Sequence, residues 1–149
     1  MIGALLIRKG VLDGFDAFNR RDLDAYLINW SDDVVFSYPG DIPGISGTYS
    51  GKASIYSFYE RDLAQFPDFQ MTAHSICVEN IFDLTGTNTV AVQWEFKGTN
   101  RAGLPIQNSG VSIMNLSMGK VTRIQVYIFD TGQEFRAAWG QPTKELVNL

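Results

Sequence analysis

The chain of 149 residues contains one cysteine, Cys77, and one histidine, His74. A single cysteine forms no disulfide bond within the chain, and it excludes a metal cluster held by cysteine ligands. We interpret Cys77 as a small buried residue of a strand. One histidine excludes a multi-histidine metal site, and no carboxylate cluster has ligand spacing. Because glycine loops that cradle phosphates and dinucleotide fingerprints are also missing, the sequence predicts neither a metal nor a cofactor.

Long apolar runs and basic runs are also missing. No span of 18 apolar residues occurs, so the sequence predicts no membrane-spanning helix. The apolar start, residues 1–7, precedes Arg8 and Lys9, which reverses the charge order of a signal peptide, and we therefore expect a cytoplasmic protein. Twelve basic residues stand against 16 acidic ones, for a net charge of −4. This balance, without a basic run, argues against a nucleic-acid partner.

Aromatic residues are abundant: ten phenylalanines, six tyrosines and three tryptophans make up 13% of the chain, while charged residues make up 19%. Such a composition excludes disorder, which needs low hydrophobicity and high charge. The length is that of one domain, and a globule of this size buries about two-thirds of the surface of its unfolded chain. We predict a single domain over residues 1–149 with a polar tail at 141–149.

The first third of the chain has helical periodicity. Apolar residues between Leu5 and Phe18 recur at steps of three and four, which predicts a helix with one buried stripe. Asp22 is placed to cap a second, short helix whose apolar side ends at Trp30, and residues 31–33 end that helix. A strand at 34–38, a loop at 41–51 and a third helix at about 52–66, capped by Ser50, complete this part of the prediction.

The remainder is rich in β-branched and aromatic residues. Four strands are predicted at residues 69–82, 89–98, 104–116 and 120–129, separated by short turns that favour antiparallel pairing. A last helical turn is predicted at 133–139. Helices followed by a strand meander indicate an α+β fold with the helices on one face of the sheet.

Several local signatures fit this order of elements. Residues 18–27 and 30–36 resemble the opening of the SnoaL-like polyketide cyclase family, in the nuclear transport factor 2-like and ketosteroid isomerase-like fold group. Further similar segments are Gly47–Lys52, Phe66–Phe69, Gly98–Asn100, Gly119–Val121, Phe129–Asp130 and Trp139–Gly140. The resemblance covers about residues 5–140. It implies a cone-shaped, curved antiparallel sheet, of the cystatin-like kind, packed on three N-terminal helices around a pocket.

The resemblance also implies a homodimer that pairs through the outer face of the sheet. The last predicted strand is consistent with a sheet covered on both faces. Its two faces are apolar or aromatic, with Ile124, Val126 and Ile128 on one and Gln125, Tyr127 and Phe129 on the other. We predict that one face lines the pocket and that the other meets a partner.

The catalytic set of the ketosteroid isomerases is not found at matching positions. The base position falls on Tyr38, the tyrosine position on Gly14, and the aspartate position near Ser112. Abstraction of a proton next to a carbonyl needs a base and an oxyanion stabiliser, so that particular site is excluded. Resemblance to the cyclases leaves Asp130 and His74 as predicted proton carriers. The alternatives are that Asp130 caps the last turn and that His74 is an ordinary strand residue.

Four other acidic residues are candidates for a site. Glu95 shares a face with Gln93, opposite Trp94. If Trp94 faces the pocket, Glu95 is a surface or interface charge, and with the opposite orientation it is a buried base with a raised pKa. Asp41 fits a turn or the pocket opening, and Asp32–Asp33 is interpreted as the polar end of a helix rather than a metal pair.

The predicted ligand-binding residues combine rings with polar groups: Trp30, Tyr38, Tyr59, Trp94, Ser112 and Met114. For Trp30, Tyr38 and Tyr59 the alternative is plain packing in the core. We therefore predict a pocket for a small, mostly apolar or polyketide-like molecule, with cofactor-independent acid–base chemistry such as cyclisation, isomerisation or hydration. The alternative is a binding or dimeric interaction module without catalysis. An epoxide hydrolase that uses Arg101 or Arg123 is disfavoured because no aspartate lies at matching strand spacing.

Overall fold

The computed structural model describes residues 2–140 and confirms the predicted α+β class. The predicted polar tail, 141–149, lies outside the described residues. The elements, in chain order, are α1 (Ile2–Asn19), α2 (Leu23–Tyr26), β1 (Trp30–Tyr38), β2 (Gly47–Ser50), α3 (Lys52–Gln65), β3 (Gln70–Val78), β4 (Asn88–Thr99), β5 (Pro105–Ser117), β6 (Lys120–Ile128) and α4 (Gln133–Ala138).

The six strands form one curved, unclosed sheet in the order β2-β1-β6-β5-β4-β3. Strands β3 to β6 are the predicted antiparallel meander, and β1 joins it by parallel pairing with β6. Register shifts occur between Ala73 and Ser75 and between Asn115 and Leu116. Bulges of this kind bend a strand and increase its twist, so the sheet curls around the helices that cover its concave face.

Strand β6 shows how the two faces of the sheet differ. Ile124 and Ile128 are buried on the concave face, as predicted, while Tyr127 on the opposite face is half exposed. Strand β4 follows the same alternation, with Val92 and Trp94 buried. The concave face is therefore the apolar one, because its side chains pack against the helices.

Two predictions for the segment around Trp30 were wrong. Trp30 is the first residue of β1 rather than the end of a helix, and Ser31–Asp33 continue that strand. Helix α2 has only one turn: Asp22 caps it, as predicted, by accepting a hydrogen bond from the Ala25 amide at 3.0 Å. Trp30 pairs with Val121 of β6, which makes this segment part of the sheet.

The segment 41–51, predicted as a loop, contains β2, which pairs antiparallel with β1. The predicted cap of α3 was also wrong by one residue. Gly51, at a φ of 88°, is the N-cap, and no side chain caps this helix. Glycine adopts such a positive φ without steric cost, which lets the chain turn from β2 directly into α3.

The aromatic residues form a connected cluster between the helices and the sheet. Phe18 of α1 is fully buried and makes edge-on contacts with Tyr26, Tyr59 and Phe69 at centroid distances of 5.2 to 5.7 Å. Edge-on pairs bring the positive rim of one ring to the negative face of another. Contacts between aromatic side chains therefore join the helices to the sheet.

Helix α4 is attached to the rest of the protein by two side-chain amides. Gln65 and Asn100 both donate to the carbonyl oxygen of Ala138, at 2.7 and 3.1 Å. The buried Asn100 side chain also accepts from the amides of Ala102 and Leu104. One asparagine thus joins the β4–β5 turn to the end of α4.

We expect the substitution Asn100→Ala to lower the free energy of unfolding by about 3 kcal/mol, because it leaves buried backbone groups without partners. Urea unfolding measures this loss. Gln107→Ala, which removes an exposed amide on β5, is the matched control and should change stability by less than about 0.5 kcal/mol. An equal, small effect of both substitutions would contradict the assigned role of Asn100.

Candidate functional site

A cavity of about 70 Å³ lies inside the cone, between α3 and the concave face of the sheet. Its lining is mainly aromatic and aliphatic, with a few polar groups. The side chains come from all three N-terminal helices and from five strands or their flanks: Phe15, Tyr26, Phe36, Tyr38, Phe58, Tyr59, Asp62, Phe69, Met71, Val92, Trp94, Phe96, Ser112, Met114, Ile124, Val126 and Ile128. An apolar wall with few polar groups is typical of sites for small organic molecules.

Asp62 of α3 places a carboxyl group in this apolar lining. Its exposed fraction is 7%, and no group within residues 2–140 donates a hydrogen bond to its carboxyl oxygens. Burial raises the pKa of Asp62 to about 7, and the positive charge of Arg21 offsets only part of this increase. At neutral pH the carboxyl group therefore exchanges between its acid and base forms, as a general acid–base group must.

Three tyrosine hydroxyls accompany this carboxyl group. Those of Tyr26 and Tyr59 share a hydrogen bond of 3.2 Å, which leaves one of their two hydroxyl protons for a ligand. Burial raises the pKa of Tyr26 to about 12, and burial also holds the pKa values of Tyr38 and Tyr59 well above the usual value. All three hydroxyls are therefore neutral hydrogen-bond donors at physiological pH.

On the sheet side, Trp94 and Ser112 form a second polar pair. The Trp94 indole N–H donates to the Ser112 hydroxyl oxygen at 2.9 Å, so the hydroxyl proton of Ser112 is directed elsewhere. The indole stacks on Phe96 with an interplanar angle of 20°. These contacts hold the indole beside Gly110 and Ser112 of β5, where it forms one wall of the cavity.

The cavity adjoins two further spaces, with each of which it shares lining residues. The first, which we call the α4 mouth, is a pocket of about 250 Å³ beside α4 that shares Tyr38, Asp62, Phe69 and Phe96 with the cavity. The second, the α1 groove, is a larger space of about 660 Å³ along α1 that shares Phe15, Tyr26 and Met114 with the cavity. Asp62 thus lies where the cavity meets the α4 mouth.

The residues predicted to bind a ligand lie in these spaces. Five of them line the cavity itself: Tyr38, Tyr59, Trp94, Ser112 and Met114. Trp30 lines the neighbouring α1 groove. The structure thus brings the predicted set together, and their part in binding stays a prediction.

The two predicted proton carriers lie elsewhere. Asp130 is exposed after β6, where its carboxylate accepts a hydrogen bond from the Gly132 amide at 2.8 Å, which is the turn role given above as its alternative. His74 is half exposed at the bulge of β3, with its imidazole 3.6 Å from the Glu95 carboxylate. Neither residue is part of the cavity lining. Their catalytic roles stay predictions without support from this geometry.

The positions of Glu95, Asp41 and Cys77 in the structure decide how each of these residues is interpreted. Trp94 faces inward, so Glu95 is a partly exposed charge rather than a buried base. Asp41 forms an ion pair with Arg136 of α4. Cys77 is exposed, so its prediction as a buried residue was wrong: Ile76 holds the buried place beside it.

Neither a metal-binding group nor a membrane-spanning helix occurs in the described part of the chain. Residues 2–140 bring together no group of three or more histidine, cysteine or acidic side chains that could hold a metal ion. No helix in the same range has both the length and the apolar character needed to cross a bilayer.

Asp62 is the functional candidate that the sequence interpretation missed. The signal was present, because Asp62 follows Tyr59 by three residues and Phe58 by four, on the buried face of α3. A carboxylate at those steps faces the same side as the apolar residues. An acidic residue within an apolar helical stripe therefore indicates a buried carboxyl group from the amino-acid pattern alone.

Comparisons with known proteins agree with this architecture. A TM-score of 0.77 relates the chain to a nuclear transport factor 2-like protein of unknown function from Burkholderia pseudomallei, at 18% identity over 93% of this chain and 98% of the other. TerC, crystallised with polyporic acid, has a TM-score of 0.72 at 21% identity over 89% and 97% of the two chains.

Bal32a, from a soil-derived mobile gene cassette, has a TM-score of 0.74 at 17% identity over 92% and 95% of the two chains. Likeness at such low identity shows the fold alone. No protein with a curated function matches the sequence. The family model of the SnoaL-like domain matches residues 11–124, which is most of the chain. The chain therefore belongs to the SnoaL-like domain family.

Proposed function

We propose that the protein binds a small, mostly apolar carbonyl compound in the cavity and moves a proton through Asp62, in acid–base chemistry that needs no cofactor. The observation that carries this proposal is an unpartnered carboxyl group, only 7% exposed, in an apolar cavity. A carboxyl group left without a partner costs stability, and such costs concentrate at functional sites.

The chemistry follows from the two kinds of polar group in the lining. The Asp62 carboxylate removes a proton from the carbon next to the substrate carbonyl, the electron pair of that C–H bond forms a C=C bond, and the π pair of the carbonyl moves onto its oxygen. The neutral hydroxyls of Tyr38 and Tyr59 are the donors that stabilise the resulting enolate. In an unsaturated ketone, return of the proton from Asp62 to the γ carbon of the dienolate gives isomerisation. In a dicarbonyl compound, the enolate carbon bonds to the second carbonyl carbon, and the alkoxide so formed takes the proton from Asp62, which gives cyclisation.

A ligand in a related protein supports the choice of a small organic molecule. TerC, which shares this fold, was crystallised with polyporic acid. The homodimer stays part of the proposal. Its support is the outer face of the sheet, where Tyr127 and Phe129 are 51% and 64% exposed. The cytoplasmic location stays a prediction from the sequence.

Exchange of the α-protons of 2-pentanone with D2O, followed by proton NMR, tests the proton transfer. We expect wild-type protein to accelerate exchange, with a rate that rises through pH 7 as Asp62 ionises. Asp62→Asn should lower the accelerated rate by about 100-fold or more, because positioned bases contribute factors of this size. Asp33→Asn, at an exposed carboxyl group of β1, is the control and should leave the rate unchanged.

The same assay compares this proposal with the assignment made from the sequence. His74→Ala and Asp130→Ala should retain the accelerated rate. Loss of exchange in either variant, with exchange retained in Asp62→Asn, would place the chemistry outside the cavity. Binding of 2-pentanone without any exchange would favour the alternative of a non-catalytic binding module.

A further inference from the structure

The α1 groove is much larger than the cavity that it joins, at about 660 Å³ against 70 Å³. A cavity of 70 Å³ is too small for an average organic ligand, since sites for such molecules occupy about 300–1,000 Å³. A molecule whose reactive end reaches Asp62 must therefore extend out of the cavity. Of the two spaces that adjoin the cavity, the α1 groove, at about 660 Å³, offers more room for the rest of it than the α4 mouth, at about 250 Å³.

The walls of the α1 groove are mostly apolar. Leu6, Ile28 and Leu84, with exposed fractions of 64%, 63% and 84%, lie along it, and Trp30 and Met114 line it as well. An apolar chain placed here removes exposed aliphatic surface from water on both partners. Each buried methylene group is worth about 0.8 kcal/mol.

Two glycines keep the helix side of the groove open. Gly10 and Gly14 both line the groove from α1, one helical turn apart. A Cβ atom at Gly10 would meet no atom within 4 Å, and one at Gly14 would meet only the Tyr26 ring at 3.8 Å. Side chains at these two positions would occupy the groove, so the two glycines leave it open.

The charges along the groove disfavour an anionic ligand. Asp13, Asp16 and Asp83 line it. Asp13 and Asp16 form ion pairs with Lys9 and Arg20, while Asp83 has no cationic partner among the described residues, so no unpaired cation of those residues lines the groove. A carboxylate head group would meet these charges and then the Asp62 carboxylate. The chemistry of the groove and the cavity together fits a neutral molecule.

From these observations we propose that the α1 groove binds the aliphatic tail of an elongated, neutral substrate whose carbonyl group lies at Asp62. This inference rests on the proposed function and adds the substrate class to it. The tail leaves the cavity between Phe15, Tyr26 and Met114, the residues that the two spaces share. Specificity for a chain length then comes from the groove, and the reaction comes from the cavity.

Binding of a series of 2-alkanones, from 2-pentanone to 2-undecanone, tests the inference by isothermal titration calorimetry. For wild-type protein we expect Kd to fall by up to about four-fold for each added methylene group that enters the groove. Gly10→Phe should leave the Kd of 2-pentanone within two-fold and remove most of the gain for 2-undecanone. Leu12→Phe, which places the same ring at an exposed position of α1 outside the groove lining, is the matched control and should keep the gain.

The outcomes separate this inference from the proposed function. Equal affinity for the short and long ketones, or a gain that survives Gly10→Phe, would overturn the tail site. A gain abolished by Gly10→Phe together with no α-proton exchange would keep the tail site and overturn the proton transfer alone. Failure of every 2-alkanone to bind would overturn both.

Discussion

At pH 8, the Asp62→Asn variant is expected to be more stable than the wild-type protein by about 4 kcal/mol, while the two should be nearly equal at pH 4. Replacing a buried polar residue usually destabilises a protein. The opposite is expected here because the ionised Asp62 carboxylate has no hydrogen-bond donor among residues 2–140. Asparagine has nearly the same shape and carries no charge at any pH.

The direction of the pH dependence follows from the raised pKa. Burial raises the pKa of Asp62 to about 7, whereas an aspartate in an unfolded chain titrates near 3.9. Between these values the folded state holds a proton that the unfolded state has released. The stability associated with protonated Asp62 is therefore fully present below about pH 4 and is lost as the pH rises to about 7.

Urea unfolding of both proteins at pH 4, 5.5, 7 and 8 measures this difference directly. Asp33→Asn is the control, since Asp33 is exposed on β1, and its difference from wild type should not grow with pH. A constant difference between Asp62→Asn and wild type across the four pH values would contradict a buried, unpartnered carboxyl group. It would also remove the main support for Asp62 as the acid–base group.

The fold class and the strand meander were predictable because local signals agreed along most of the chain. Turn residues separate β3 to β6, and β4 and β6 carry apolar residues at alternating positions, Val90 to Phe96 and Ile124 to Ile128. The start of β1 was missed because its pairing is made with a distant part of the chain, and β2 was missed because it has only four residues, two of them the turn-forming types glycine and serine. Trp30 joins the sheet through Val121, a partner that helical periodicity near residue 30 does not reveal.

The residues that line the cavity were more predictable than the residue that could carry a proton there. A ring with a polar tip is recognisable by residue type, so Tyr38, Tyr59 and Trp94 were selected and all lie at the cavity. The choice of Asp130 and His74 rested on the resemblance to the cyclases and, for Asp130, on its place at the end of the last strand. Those criteria do not report which side of the sheet a side chain faces.

The register shift between Ala73 and Ser75 is one reason the face of His74 was not predictable. A bulge adds a residue to one strand and changes the alternation of side chains beyond it. The alternation before the bulge of β3 therefore does not predict which face the next side chains occupy. Asp62 needed only helical spacing, which is regular over the 14 residues of α3. A search for acidic residues in apolar helical stripes would have found it.

Gly110→Ala is expected to destabilise the protein by about 3 kcal/mol, although it adds only one methyl group. Gly110 lies in β5 directly opposite Trp94 of β4. A Cβ atom there would lie 2.1 Å from the Tyr127 carbonyl oxygen and 2.7 Å from the Trp94 indole. The carbonyl belongs to the backbone of β6, so a change of side-chain rotamer cannot relieve that contact.

The same substitution should also disturb the cavity, because the Trp94 indole lies against Gly110 and donates to Ser112 from that position. Denaturant unfolding measures the stability, and the NMR signal of the Trp94 indole N–H reports loss of its hydrogen bond. Gly10→Ala is the control, since it meets no atom within 4 Å in a helix and should raise stability by about 0.5–1 kcal/mol. A Gly110→Ala protein as stable as wild type, with an unchanged indole signal, would mean that Trp94 does not depend on this glycine for its place in the cavity wall.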